Sequence, residues 1–244
     1  HANSPDIRQN PGISIKLSAL HPRYEFGQRQ RVMTELVERT LRLTLLAKNA
    51  NMGLNIDAEE ADRLDLSLDV IEAVLSDERL AGWDGFGVVV QAYSKRAAFV
   101  IDWLYALAAK HNRKIMVRLV KGAYWDTEIK HAQVEGHSDF PVWTRKPTTD
   151  VSYLACARGL LDAGRWIYSQ FATHNAHTVA AIEEMASGGS NYEFQRLHGM
   201  GDALYAAVYA EPNHPHPCRV YAPVGAHEDL LPYLVRRLLE NGAN

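Results

Sequence analysis

The chain has 244 residues, 47% hydrophobic and 23% charged, with a formal net charge of −3. That length holds one barrel-sized domain or two small ones, and the charge gives no electrostatic basis for nucleic acid as a partner. No apolar run reaches the roughly 18 residues of a membrane span, residues 1–12 lack a signal-peptide layout, and Cys156 and Cys218 form no metal or redox spacing, so a cytoplasmic setting is the expectation.

Residues 1–11 are polar, hold two prolines and read as a loop or tail. From there on, short β-branched runs alternate with amphipathic stretches of helical length, the pattern of a parallel α/β domain. Ile13–Leu17 is the first predicted strand. A helix follows over Val32–Lys48, with Leu36, Leu41 and Leu45 among charges. Leu54–Asp57 is the next strand and Asp62–Leu75 the next helix. After the strand Gly87–Ala92, Ser94 reads as the N-cap of a helix running to His111. The strand Lys114–Val120 leads into the loop Lys121-Gly122-Ala123-Tyr124-Trp125, whose glycine permits close backbone approach to a ligand and whose Trp125 is either core or a stacking surface. Thr149 and Asp150 open a helix reaching Leu161. The strands Trp166–Ala172, Tyr192–Leu197 and Val220–Pro223 complete the set. Seven strands with intervening helices suggest a β/α barrel, a fold that normally has eight.

The strand ends are the informative positions. Side chains alternate faces along a strand, so Lys16, Asp57, Gln91 and Arg118 can each point inward after an apolar body: Ile-Ser-Ile-Lys, Leu-Asn-Ile-Asp, Val-Val-Val-Gln and Ile-Met-Val-Arg. Polar groups at the carboxyl ends of parallel strands are where β/α barrels keep their active sites. A single such residue is readily a strand meeting water; four in succession with unlike chemistry favour a site.

The histidines leave two readings open. His174 and His198 at neighbouring strand ends, with Asp57, suit either a metal centre or donors to phosphate and ribose oxygens. His214 and His216 read as exposed loop residues. The last helix carries an apolar stripe of Leu231, Leu234, Val235 and Leu238, and a polar stripe of Tyr233, Arg236, Arg237 and Glu240. The polar stripe is either a solvated face or a carboxylate clamp built on the planar guanidinium fork.

Longer motifs narrow these choices. Lys16-Leu17-Ser18-Ala19-Leu20-His21-Pro22-Arg23-Tyr24, Asn55-Ile56-Asp57-Ala58-Glu59-Glu60, Arg118 through Trp125, Phe171-Ala172-Thr173-His174-Asn175 and Tyr233-Leu234-Val235-Arg236-Arg237 resemble proline dehydrogenases. The similarity is nearest to the dehydrogenase domain of the bacterial bifunctional proline utilisation enzymes and runs from Gly12 to Asn244.

The resemblance implies a (β/α)8 barrel over residues 12–244 that oxidises L-proline to Δ1-pyrroline-5-carboxylate with FAD. It implies that Lys16, Asp57, Tyr221, Tyr233, Arg236 and Arg237 surround the substrate. Lys16, Arg236 and Arg237 hold its carboxylate, and Leu197 forms an apolar wall. Gln91 and Arg118 bond the flavin ring; Val120, Lys121, Gly122, Ala123, Trp125, Thr173, His174, Asn175 and Glu240 hold the rest of FAD. It also implies a quinone acceptor at the membrane surface, no metal, and an aldehyde dehydrogenase domain in the full-length protein.

A family barrel has a strand before that of Lys16, together with an acidic partner for a helix arginine. Neither is found in residues 1–12, so an open seam beside the Lys16 strand is expected. The alternative substrate is a related imino acid such as hydroxyproline. A metal-dependent barrel hydrolase and a non-catalytic interaction barrel are the readings from other classes, distinguished by bound zinc or by lack of flavin.

Overall fold

The computed structural model describes residues 2–186, 189–210 and 216–226, with residues 228, 230, 231, 233 and 235 beyond them. Among the described residues, seven strands, β1 (Gly12–Ile15), β2 (Gly53–Ile56), β3 (Phe86–Gln91), β4 (Ile115–Val120), β5 (Ile167–Ala172), β6 (Tyr192–Leu197) and β7 (Cys218–Tyr221), form one sheet in sequence order. The pairs β1–β2, β2–β3, β5–β6 and β6–β7 are parallel. Helices α1 (Leu17–Leu20), α2 (Arg29–Asn49), α3 (Leu64–Leu75), α4 (Ala97–His111), α5 (Trp125–Val134), α6 (Lys146–Asp162), α7 (Ala176–Met185) and α8 (Asp202–Val208) fill the connections. Strand, helix, parallel strand is the repeat of an α/β fold.

No eighth strand occurs among the described residues, and β1 and β7 stand at the two ends of the strand order. The stretch before β1 holds a short 3-10 turn, Ile7–Gln9, capped by the Asp6 side chain. Asn10 is buried there and donates to the carbonyls of Ser4 and Asn51.

The chain divides into two compact units: His1–Val90, Phe99–Arg118 and Ala163–Tyr168 form the first, and Gln91–Ala98, Leu119–Asp162 and Ser169–Asn244 the second. In the first, α2 buries Val32, Leu36, Thr40, Thr44 and Ala47, a stripe at helical spacing, and α3 buries Leu66, Val70, Ile71, Val74 and Leu75. Gly87 in β3 makes room for the buried amide of Asn55, which any Cβ there would strike.

In the second unit, Tyr153, Phe171, Tyr192, Phe194 and Tyr205 form an aromatic core. Two of these rings also fix strand ends. The Tyr153 hydroxyl lies 3.2 Å from both the Leu119 and Ala172 carbonyls, and the Tyr205 hydroxyl donates to the Thr173 carbonyl at 2.9 Å.

Departures from the sequence expectations have local causes. Helix α6 starts at Lys146 rather than Thr149, because Pro147 suits a first turn where its missing N–H costs nothing. Ser94 stands three residues before α4; its hydroxyl accepts from the Arg96 N–H, and its backbone bridges to Val142. The loop at Trp125 is the start of a helix, masked in the sequence because Tyr124 at the cap offers no side-chain cap bond. Strand β7 ends at Tyr221, two residues before Pro223. His216 is not simply solvated but stacks on Tyr192, with centroids 3.8 Å apart; His214 lies outside the described residues.

Candidate active site

The candidates sit where the strands end. Lys16 directly follows β1, Asp57 follows β2, Gln91 ends β3, Arg118 lies two residues before the end of β4, Thr173 follows β5, Leu197 ends β6 and Tyr221 ends β7.

In the first unit the geometry is electrostatic. The Asp57 N–H donates to the Ile15 carbonyl at 2.9 Å, continuing the β1–β2 ladder by one residue. Its carboxylate lies 3.2 Å from an Arg118 guanidinium nitrogen and 3.8 Å from Lys16 Nζ. Arg118 also donates to Ser14 Oγ at 3.0 Å. Two cations therefore face one carboxylate. The Arg118 side chain is 10% exposed and that of Lys16 33%, so Lys16 is the cation that solvent reaches more easily.

Behind this cluster, Glu59 accepts from the Ser18 N–H at 3.0 Å, from the Ser18 hydroxyl, and from Arg63 at 3.3 Å. It thereby ties α1 to the loop after β2. Ser14 and Glu59 were not among the sequence candidates. Ser14 was signalled by two-residue alternation with Lys16, whereas Glu59 acts from a loop that has no periodicity to read.

In the second unit, the connections after β3 and β4 are laced together. Ala92 N–H donates to the Val120 carbonyl and Tyr93 N–H to the Lys121 carbonyl, both at 2.8 Å, and Ala123 N–H reaches Gln91 Oε1 at 3.4 Å. Gly122 has φ +134°, and a Cβ there would lie 2.5 Å from the Tyr93 ring, so the position demands glycine. The buried Lys121 places Nζ 2.6 Å from Asp150 Oδ1, while Lys146 holds the other carboxylate oxygen at 2.9 Å. Burial opposes ionisation of Asp150, but Lys121 and Lys146 outweigh it and hold the carboxyl below its ordinary range. Asp150, expected to open a helix, instead neutralises Lys121.

Trp125 opens α5 with its indole N–H donated to the Trp143 carbonyl at 2.9 Å, which fixes a ring that remains partly exposed. Asn175 caps α7 by accepting from the Thr178 N–H at 3.0 Å, and Thr173 Oγ1 accepts from the Asn175 N–H at 3.2 Å. His174 Nε2 accepts from the Leu197 N–H at 3.0 Å, so a neutral ring carries its proton on Nδ1. Leu197 and Tyr221 are register partners on β6 and β7. Tyr233 lies in a helical segment and is half-buried. Arg236, Arg237 and Glu240 lie outside the described residues.

Among the described residues, no group of three or more histidine, cysteine or acidic side chains is arranged to hold a metal ion, and no helix is long and apolar enough to cross a membrane.

The proline dehydrogenase family model matches residues 1–244. The chain is 59% identical over 249 residues to the bifunctional protein PutA of Klebsiella aerogenes, covering 100% of this chain and 19% of that protein. It is 60% identical over 241 residues to PutA of Rhizobium meliloti, covering 98% and 19%. A solved structure of a variant of Bradyrhizobium japonicum proline utilization A superposes with a TM-score of 0.94 at 60% identity, over 100% of this chain and 25% of that one. The chain thus spans about a fifth of the length of the curated relatives it matches. It belongs to the proline dehydrogenase family.

Proposed function

We propose that this chain oxidises L-proline to Δ1-pyrroline-5-carboxylate, with non-covalently bound FAD as hydride acceptor, within a (β/α)8-type barrel of residues 12–244 preceded by a loop or tail of residues 1–11. The observation that carries the reading is the buried Arg118 at the carboxyl end of β4, held by Asp57 and Ser14, in a chain of this family.

The residues fit FAD. Gly122 leaves the backbone bare at a turn where a side chain would collide with Tyr93. His174 carries a proton on Nδ1 in its neutral form, and Trp125 offers a partly exposed ring held by its indole N–H. These suit phosphate or ribose oxygens and a planar ring, with Val120, Lys121, Ala123, Thr173, Asn175 and Glu240 completing the cofactor contacts. Gln91 and Arg118 hydrogen-bond the flavin ring. Bound FAD supplies the redox chemistry, and the protein positions the donor carbon and the charge around it.

On the substrate side, Lys16, Arg236 and Arg237 hold the proline carboxylate through charge-assisted bonds. Asp57 keeps Lys16 and Arg118 in place, Tyr221 and Tyr233 pack near the ring, and Leu197 forms its apolar wall. The ring nitrogen is unprotonated when hydride leaves the adjacent carbon, since its lone pair drives the loss. No side chain is assigned as general base, and the proton leaves on binding or through water. The positive charge of Arg118 stabilises negative charge developing on the acceptor.

The electrons pass next to a quinone at a membrane surface, the protein being cytoplasmic and peripherally associated. An aldehyde dehydrogenase domain acts on the product in the full-length protein. Purified protein should show a flavin absorption band that bleaches anaerobically on adding proline, and hydroxyproline offered in parallel measures the preference. A protein without a flavin band, or one that proline leaves unbleached, would overturn the reading.

A further inference from the structure

The second unit contains a buried polar network that the proposed chemistry does not use. Glu193, the second residue of β6 and 1% exposed, accepts hydrogen bonds from three side chains among the described residues. Gln170 Nε2 donates at 2.9 Å from β5, Gln195 Nε2 at 2.6 Å from β6, and Arg219 from β7 through Nε at 2.8 Å and a terminal nitrogen at 3.0 Å. The arginine contact is a two-toothed fork, which fixes orientation as well as distance.

An ion pair built on a buried carboxylate is a weak source of stability compared with apolar packing, because Glu193 loses its hydration while Arg219 stays 26% exposed. Its placement here suggests another use. Alternation puts Glu193, Gln195 and Leu197 on one face of β6, and Arg219 and Tyr221 on one face of β7. The register pairs Gln195 with Arg219 and, two residues on, Leu197 with Tyr221. The network is therefore the layer directly beneath the Leu197–Tyr221 pair. Strand β7 has only four residues and ends the strand order. A one-residue slip would turn every side chain of such a strand to the opposite face. The fork between Arg219 and Glu193 forbids that slip, because only one register lets both arginine nitrogens meet the carboxylate.

We infer that Glu193 is a positioning residue for the substrate pocket: through Arg219 it fixes the register of β7 and so the placement of Tyr221. The inference rests on the reading of Tyr221 as a substrate contact. Because Tyr221 touches the ring before and during reaction alike, its displacement weakens uniform binding and raises KM with kcat little changed.

The test is a cycle of variants in the flavin-loaded holoenzyme. Glu193→Gln should raise KM for proline about tenfold with kcat held within about twofold. In a Tyr221→Ala background the same substitution should add little, since the group it positions is gone. Should Glu193→Gln yield no folded holoenzyme, Arg219→Lys, which keeps the charge and loses the fork, carries the same cycle. Equal multiplicative increases in both backgrounds, or an unchanged KM in the first, would overturn the inference while leaving the proposed function standing. Failure of that function shows separately, in a parent protein that proline does not bleach, and takes the inference with it.

Discussion

Two arginine–carboxylate pairs on the strands and strand ends of this chain are built differently. Asp57 meets Arg118 at 3.2 Å and Lys16 at 3.8 Å, with 17% of its side chain exposed. Glu193 meets Arg219 through a fork at 2.8 and 3.0 Å, takes two glutamine donors as well, and is sealed from solvent. The first pair has long contacts and partial exposure, so an arriving ligand can re-pair its charges at small cost. In the second the carboxylate is dry and multiply bonded although Arg219 is 26% exposed, so a loss of its partners leaves an uncompensated buried charge on Glu193. On the proposed reading, the same residue types serve ligand chemistry in one place and register in the other.

The contrast is sharpest in stability. Removing one member of a buried pair typically costs about 3–5 kcal/mol, and Glu193→Gln should cost less than that in urea unfolding of the holoenzyme, because the Arg219 left behind is 26% exposed. Asp57→Asn should cost less still, because its contacts are longer and its carboxylate is partly hydrated. Equal losses for the two variants would erase the distinction.

Kinetics should reverse the order. Replacing Arg118 with Met should slow flavin reduction by saturating proline about 100- to 1000-fold, the usual loss when one preorganised group facing developing charge is removed, with a smaller change in proline affinity. Reduction at the parental rate in anaerobic stopped flow would remove Arg118 from the chemistry.

Arg236 and Arg237 come next. If each supplies charge-assisted bonds to the substrate carboxylate, Arg236→Met and Arg237→Met should each weaken binding of a cyclic carboxylate about 10- to 150-fold. Pyrrolidine, which lacks the carboxylate, should bind as before. Unchanged carboxylate affinity in both variants would return that helix face to solvent.

The smallest effect concerns Asp150. Its carboxyl is held below the ordinary value of 3.8 in the folded chain. The stability it contributes is therefore fully present above that pH and lost as pH falls through the depressed folded value. For a carboxylate about a third exposed, the contribution is less than about 1 kcal/mol after solvent screening. The gap in stability between the parent and Asp150→Asn should be flat near neutrality and close below pH 3.8. A gap that grows on acidification would contradict the assignment.

Much of this architecture was legible because it rests on alternation. The strands were visible as β-branched runs, and Lys16, Asp57, Gln91 and Arg118 stand at or within two residues of the carboxyl ends of β1 to β4. What escaped lacks period or depends on distant segments. Helix α5 begins without a capping side chain, and α6 begins a turn early on Pro147. The roles of Asp150 and Glu59 depend on residues far away in sequence. Glu193 and Gln195 alternate with aromatics in β6, so their shared face was readable, but their partners on β5 and β7 were not. The roles assigned toward proline and FAD came from family resemblance, since no spacing encodes a flavin.

The most direct test of the central claim compares anaerobic flavin reduction by unlabelled proline with that by proline carrying deuterium on the ring carbon next to nitrogen, away from the carboxylate. Hydride transfer from that carbon predicts slower bleaching with the labelled substrate at saturation, with pyrroline-carboxylate formed in step with reduced flavin. Identical rates with both substrates and no such product would contradict proline oxidation as the chemistry of this chain.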